Sequence, residues 1–255
     1  MHSVKPPRFS VQQTKNKIMK TKLTLLIAIT IMATTQIALA QNTKSRTYDV
    51  STFTVINSNI VGNVIYTHSA NASVEAKGDE KMIENLQVTV ENGVLNLRRD
   101  KKLFERRKSR RGKLTVYVSS PVLKEVRSNG VGDILLNDKI ETEHFIIQSK
   151  GVGDVDIKDV NCNEITIQST GVGDVKVKGT TGFLTLVSSG VGDTNAKFLI
   201  AENAEVTSKG VGDVTCHVTG SLDLKKTGVG DVRYFGEPTI KKLRTSGPGS
   251  IRSGN

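Results

Sequence analysis

The tetrapeptide Gly-Val-Gly-Asp begins at Gly130, Gly151, Gly171, Gly190, Gly210 and Gly228, and a degenerate copy, Gly247-Pro248-Gly249-Ser250, follows. Successive starts are 21, 20, 19, 20, 18 and 19 residues apart. An earlier echo is Ile60-Val61-Gly62-Asn63-Val64. A unit this short cannot bury its own apolar face, so a fixed period near 20 residues forces neighbouring units to stack into one continuous core.

Each period contains two short stretches in which apolar and polar residues alternate, such as Asp154-Val155-Asp156-Ile157-Lys158 and Glu164-Ile165-Thr166-Ile167-Gln168. Period-two alternation puts Val155, Ile157, Ile165 and Ile167 on one face, as in a half-buried strand. The next unit repeats the pattern with Val175, Val177, Leu184 and Leu186. The Leu-x-x-Leu-x-Leu frame of leucine-rich repeats is missing, so equivalent strands are expected to run parallel, one above another. The fold class predicted is all-β: a parallel β-helix (β-solenoid) with coils of about 20 residues, preceded by an irregular β-rich N-terminal part. Glycines on both sides of one valine suit a corner with φ > 0 or a close approach of adjacent backbones. The serine two places before the first glycine (Ser128, Ser149, Ser169, Ser188, Ser208) falls on the inward side. The Pro-containing copy and the tail 252–255 are expected to cap the stack, because bare terminal coils expose strand edges.

Upstream, residues 41–119 are β-rich without a regular repeat, and residues 120–255 continue them as Gly-Val-Gly-Asp coils. Asn92-Gly93 between two apolar runs signals a hairpin, and Asp79 to Leu86 is the one stretch suited to a helical turn. Residues 1–40 form a leader. Met19, Lys20 and Lys22 open it, Leu23 to Thr35 supplies an apolar region, and Ala38-Leu39-Ala40 has the small-x-small form of a signal-peptidase site. Met19 suits a natural start, and cleavage leaves Gln41 first. The apolar run is shorter than the roughly 20 residues a membrane span requires, so export to the periplasm or cell surface is expected, with no transmembrane segment in the mature chain.

Removing the leader takes six basic residues and no acid, which lowers the formal charge from +11 to +5. A single segment holds the remaining excess: Arg98, Arg99, Lys101, Lys102, Arg106, Arg107, Lys108, Arg110, Arg111 and Lys113 stand with only two acids. The rest of the mature chain is close to neutral. Charge gathered in one loop argues against a nucleic-acid face spread over the fold and favours contact with an anionic glycan, lipopolysaccharide or membrane surface.

The repeat also stacks Asp133, Asp154, Asp174, Asp193, Asp213 and Asp231. Adjacent carboxylates about 4.8 Å apart repel by roughly 0.9 kcal/mol in water. A Ca²⁺ ion would relieve this, but such sites take six to eight oxygens. Capping of each turn through nearby N–H groups is the simpler role, with Lys158, Lys178 and Lys197 partly neutralising the row. No other cofactor is expected. β-Helices also carry polysaccharide lyases and hydrolases, which makes a pectinase-like enzyme the rival reading; yet a uniform row offers no distinct carboxylate pair. His68, His144 and His217 fall in separate repeats. Cys216 falls at an inward position and Cys162 in a turn more than two coils earlier, too far for a disulfide.

These features together resemble the head GIN domain family of auto-transporter adhesins. The likeness rests on Phe53-Thr54-Val55-Ile56, the Val88 to Leu97 hairpin, the Gly-x-Gly-Asp repeats and the ending Val232-Arg233-Tyr234-Phe235-Gly236-Glu237-Pro238. It covers most of the mature chain. The Gly-Ile-Asn tripeptide is absent, and no barrel or sorting segment follows Asn255, so an auto-transporter route is not expected. The resemblance implies a parallel β-helix and carries no catalytic residues. The expected role is a non-enzymatic, adhesin-like scaffold whose partner is a glycan, envelope or host-surface ligand.

Overall fold

A computed structural model describes residues 43–99 and 112–254, and Lys44–Asn255 form one compact unit. The N-terminal elements are β1 (Thr43–Tyr48), β2 (Val55–Asn59), β3 (Asn63–His68), β4 (Ser73–Asp79), α1 (Glu80–Glu84), β5 (Leu86–Glu91), β6 (Val94–Arg99) and β7 (Leu114–Ser120). The repeat region supplies β8 (Glu125–Ser128), β9 (Ile134–Leu136), β10 (Ile140–Ser149), β11 (Val155–Ser169), β12 (Val175–Ser188), β13 (Thr194–Ser208) and β14 (Val214–Lys226). It closes with β15 (Val232–Phe235), β16 (Thr239–Thr245) and β17 (Ile251–Ser253).

Consecutive coils pair in parallel as the period requires: Ile165 stands over Phe145, Leu184 over Ile165 and Ala204 over Leu184. The alternating apolar residues point inward, and Val155, Ile157, Ile165, Ile167, Val175, Leu184 and Leu186 are buried. Each such side chain stabilises the fold by about 1.5–3 kcal/mol. The strands are longer than two short alternating stretches would suggest, since β11 to β14 run through the bend between them with register shifts in place of turns. Cys162 therefore lies within β11, buried, rather than in a turn.

The N-terminal part joins the same stack out of chain order. β2 lies between β6 and β8, and β3 between β7 and β9, all in parallel. Outside them β5 pairs antiparallel with β6, β4 pairs antiparallel with β7, and β1 pairs with β4. These pairings cover the edge that a parallel stack would otherwise leave open. The β5–β6 hairpin turns through Asn92 (φ 50) and Gly93 (φ 74), the type I′ geometry its sequence demands.

At the other end the Pro-containing copy forms the last corner, with Val232 N–H donating to Ser250 O at 2.8 Å. The position held by an inward serine in five coils is Lys226 here, paired with Ser208. Its side chain is fully buried, and its ammonium donates to Pro248 O at 2.7 Å and Gly228 O at 3.2 Å.

Candidate binding surface

The six Gly-Val-Gly-Asp corners stack in register, and the two glycines serve different purposes. The second glycine has positive φ in every copy, for example Gly173 at 138° and Gly192 at 133°. The first has no positive φ. It is needed because a Cβ at Gly171 would fall 2.9 Å from Lys150 C and closer still to Gly151 O. The inward serines are buried, and their carbonyls anchor the approach: Ser149 O accepts Thr170 N–H at 2.8 Å and Gly171 N–H at 3.0 Å.

Between the glycines the valines form a ladder of parallel bridges, Val61, Val131, Val152, Val172, Val191, Val211 and Val229. From Val131 onward each is about half exposed, between 47 and 52%. With the backbone packed tightly against its neighbours on both sides, the valine side chain can only point outward. The result is an apolar ridge along the corner of the stack.

The aspartates cap, but not their own turns. Asp154 Oδ1 accepts the backbone N–H of Asp174 at 2.8 Å, Asp174 that of Asp193 at 2.9 Å, and Asp193 that of Asp213 at 2.8 Å. The same link joins Asp133 to Asp154 and Asp213 to Asp231. Asn63 of the earlier echo starts the series by accepting Asp133 N–H, and Asp231 ends it by accepting Ser250 N–H at 2.7 Å. Hydrogen bonds from Ser250 hold the Asp231 carboxyl below its ordinary range. Each Asp thus ties one coil to the next through Oδ1. Among the described residues no three His, Cys, Asp or Glu side chains are grouped closely enough to hold a metal ion.

The lysines expected to neutralise this row lie elsewhere. Lys158 pairs with Asp156, while Lys178 and Lys197 stand over the ring of Phe198 at 5.8 and 5.7 Å. Lys176 and Arg252 approach the row instead, at 3.6 Å from Asp174 and 3.9 Å from Asp231. His144 meets Glu164 at 3.2 Å on the surface. Both cysteines are free and buried, and burial pushes the Cys216 thiol up to about 12.

In the sequence the basic segment runs from the end of β6 to the start of β7. Where β2 and β3 are joined by Ile60–Gly62, the adjacent β6 and β7 are joined by residues 100–113. Lys101, Lys102, Arg106, Arg107, Lys108, Arg110 and Arg111 lie outside the described residues. Arg98 and Arg99 are the last residues of β6 rather than part of a loop. They line a groove of about 540 Å³ together with Lys150 and the valines Val61, Val131 and Val152. Lys113 lines a second groove, of about 370 Å³, on the other side of Val61 and Val131. No Asp or Glu among the described residues lines either groove. Lys150 and the valine ridge were missed as candidates in the sequence, although a valine held between two glycines six times over was the available signal.

Parallel coils closed by glycine corners define a β-solenoid. The chain belongs to the family described as "Putative auto-transporter adhesin, head GIN domain", whose model matches residues 52–238. It is similar to the crystal structure of an adhesin, so described as putative, from Bacteroides fragilis, with 36% identity and a TM-score of 0.78 over 84% of this chain and 98% of that one. Two further structures share the fold. A "putative lipid binding protein" from Parabacteroides distasonis has 19% identity and a TM-score of 0.63 over 84% of this chain and 98% of that chain. A "putative adhesin" from Parabacteroides merdae has 16% identity and a TM-score of 0.57 over 85% of this chain and 98% of the other. Among curated proteins none matches the chain. Among the described residues no helix is long and apolar enough to cross a membrane.

Proposed function

We propose that the protein is an exported, non-enzymatic, adhesin-like scaffold that holds an anionic group of an envelope or host surface, a phosphate or carboxylate carried on lipid or glycan, at its basic end. One observation carries this: Arg98, Arg99 and Lys150 converge on a groove that is floored by the first valines of the ridge and lined by no acid among the described residues. Guanidinium groups bind phosphate and carboxylate bidentately, and the adjoining apolar floor favours a ligand that carries hydrocarbon beside its charge. Membership in an adhesin-type family supports the surface role. The corner carboxylates, repeated alike on six coils and engaged in capping, support binding over catalysis.

Flotation with vesicles of anionic or purely zwitterionic lipid, and pull-down on an acidic polysaccharide, test the reading. The protein should associate with at least one anionic surface, less so as salt is raised, and Arg98→Glu/Arg99→Glu/Lys150→Glu should weaken that association. Equal association with zwitterionic vesicles, or an unaffected triple variant, would refute it.

A further inference from the structure

The largest break in the repeat within the described stack lies far along the chain from the basic segment. In β13, Lys197, Phe198 and Leu199 have no partners in β14: Ala196 pairs with Cys216 and the next pair is Ile200 with His217. Leu199 turns inward and is buried, whereas Phe198 is 60% exposed, more than any other large hydrophobic side chain among the described residues. The bulge is built rather than frayed. Asn195 Oδ1 accepts the backbone N–H of Lys197 at 3.1 Å and the hydroxyl of Thr215 at 3.0 Å, which fixes its start to the next coil.

Aromatic and cationic groups gather around it. The Lys197 ammonium lies 4.2 Å from the centre of the Phe235 ring and 5.7 Å from that of Phe198, and the Lys178 ammonium approaches Phe198 to 5.8 Å. Phe235 pairs with His217, itself the partner of Ile200, so the two rings are two coils apart, about 9.6 Å along the stack axis. In a chain with only 4% aromatic residues, the most exposed large apolar side chain of the described residues thus stands on the widest bulge with two ammonium groups beside it.

We infer that Phe198, with Lys178 and with Lys197 held over the Phe235 ring, forms a platform for an acidic pyranose chain. The ring faces carry negative quadrupole charge, which attracts the polarised C–H groups on the flat face of a sugar. The flanking ammonium groups, already held over the rings by cation–π attraction, are placed to meet a uronate carboxylate. The Phe235 ring, half-buried beneath the Lys197 ammonium, holds that lysine in place, and the open ring of Phe198 is left to take the sugar. The inference rests on the binding reading given above but uses a different surface.

Native-gel retardation in polygalacturonate, with neutral dextran as the comparison, tests it on the mature protein. Retardation by polygalacturonate and not by dextran is expected. Phe198→Ala should weaken the apparent affinity about tenfold, equivalent to about 1.4 kcal/mol, while Phe198→Tyr should retain it; melting curves must show both variants folded. Lys197→Gln should weaken polygalacturonate binding and steepen neither salt nor dextran response. Arg98→Glu/Arg99→Glu separates the two surfaces. If that variant alone loses retardation and Phe198→Ala keeps it, the platform is refuted while the basic-end reading stands. Equal retardation by dextran would refute the acidic ligand class, and no retardation of the wild type by either polymer would refute the proposal.

Discussion

Substituting Gly171 by alanine tests whether the corners are held by close backbone approach. The new Cβ would lie 2.9 Å from Lys150 C and 3.0 Å from Gly151 N, where carbon atoms at contact stand about 3.5–4.0 Å apart. The two coils must part by more than about 0.6 Å at the corner. Val172 N–H to Gly151 O, now 2.9 Å, then passes the limit of a useful hydrogen bond, and Gly171 N–H to Ser149 O, now 3.0 Å, is strained with it. Two such bonds contribute about 1 kcal/mol each, and the displaced coil loses packing besides, so the expected cost is about 3 kcal/mol. For a domain of this size that lowers the melting temperature by about 6–12 °C. Val172→Thr, at an exposed position beside it, should shift the melt by less than 2 °C, about the effect of an ordinary surface change. Circular-dichroism melts of the three proteins decide the matter. A Gly171→Ala protein melting with the wild type would mean that the coils are not in contact at the first glycine.

Asp174→Asn keeps an acceptor for Asp193 N–H and should melt near the wild type, whereas Asp174→Ala should melt lower; Ca²⁺ or chelator should move neither curve, and a sharp Ca²⁺-dependent rise lost in Asp174→Asn would instead make the row a metal site. The Cys216 thiol titrates near 12 when folded and near 9 when unfolded, so the unfolded chain loses its proton first and stability should fall as pH rises above about 9. Cys216→Ala should flatten that decline in denaturant titrations, and rapid alkylation of native Cys216 at pH 8 would contradict its burial. Protein recovered from the cell envelope should begin at Gln41 by intact mass; retention of residues 23–35 would remove the case for export through a cleaved leader.

The sequence carries the stack plainly because its signals are local and repeated. Alternation assigns Val155, Ile157, Ile165 and Ile167 to the interior, and the glycine spacing fixes which residues lie above one another. Stacking order is a different kind of information. Nothing in β2, β3, β6 or β7 announces that the first pair lies inside the second, since each strand alternates in the same way and only long-range pairing distinguishes them. The Asp row was placed correctly but not its partners, because Oδ1 reaches the N–H of the following coil, which is near only after stacking. Lys178 and Lys197 were assigned to that row on alternation alone. Both keep the alternation, but the bulge at Lys197–Leu199 turns Phe198 outward beside them, and their ammonium groups meet its ring. The trace of that bulge in the sequence is slight: the Gly190 coil is two residues longer than the Gly210 coil.

On the proposed function the repeated carboxylates are architectural and the protein binds polymer without cutting it. Incubating the mature protein with an acidic polysaccharide and resolving the mixture by size-exclusion chromatography tests both at once. Co-elution with polymer of unchanged length is the predicted result; a shortened polymer bearing new unsaturated or reducing ends, formed at enzymatic rates, would contradict it.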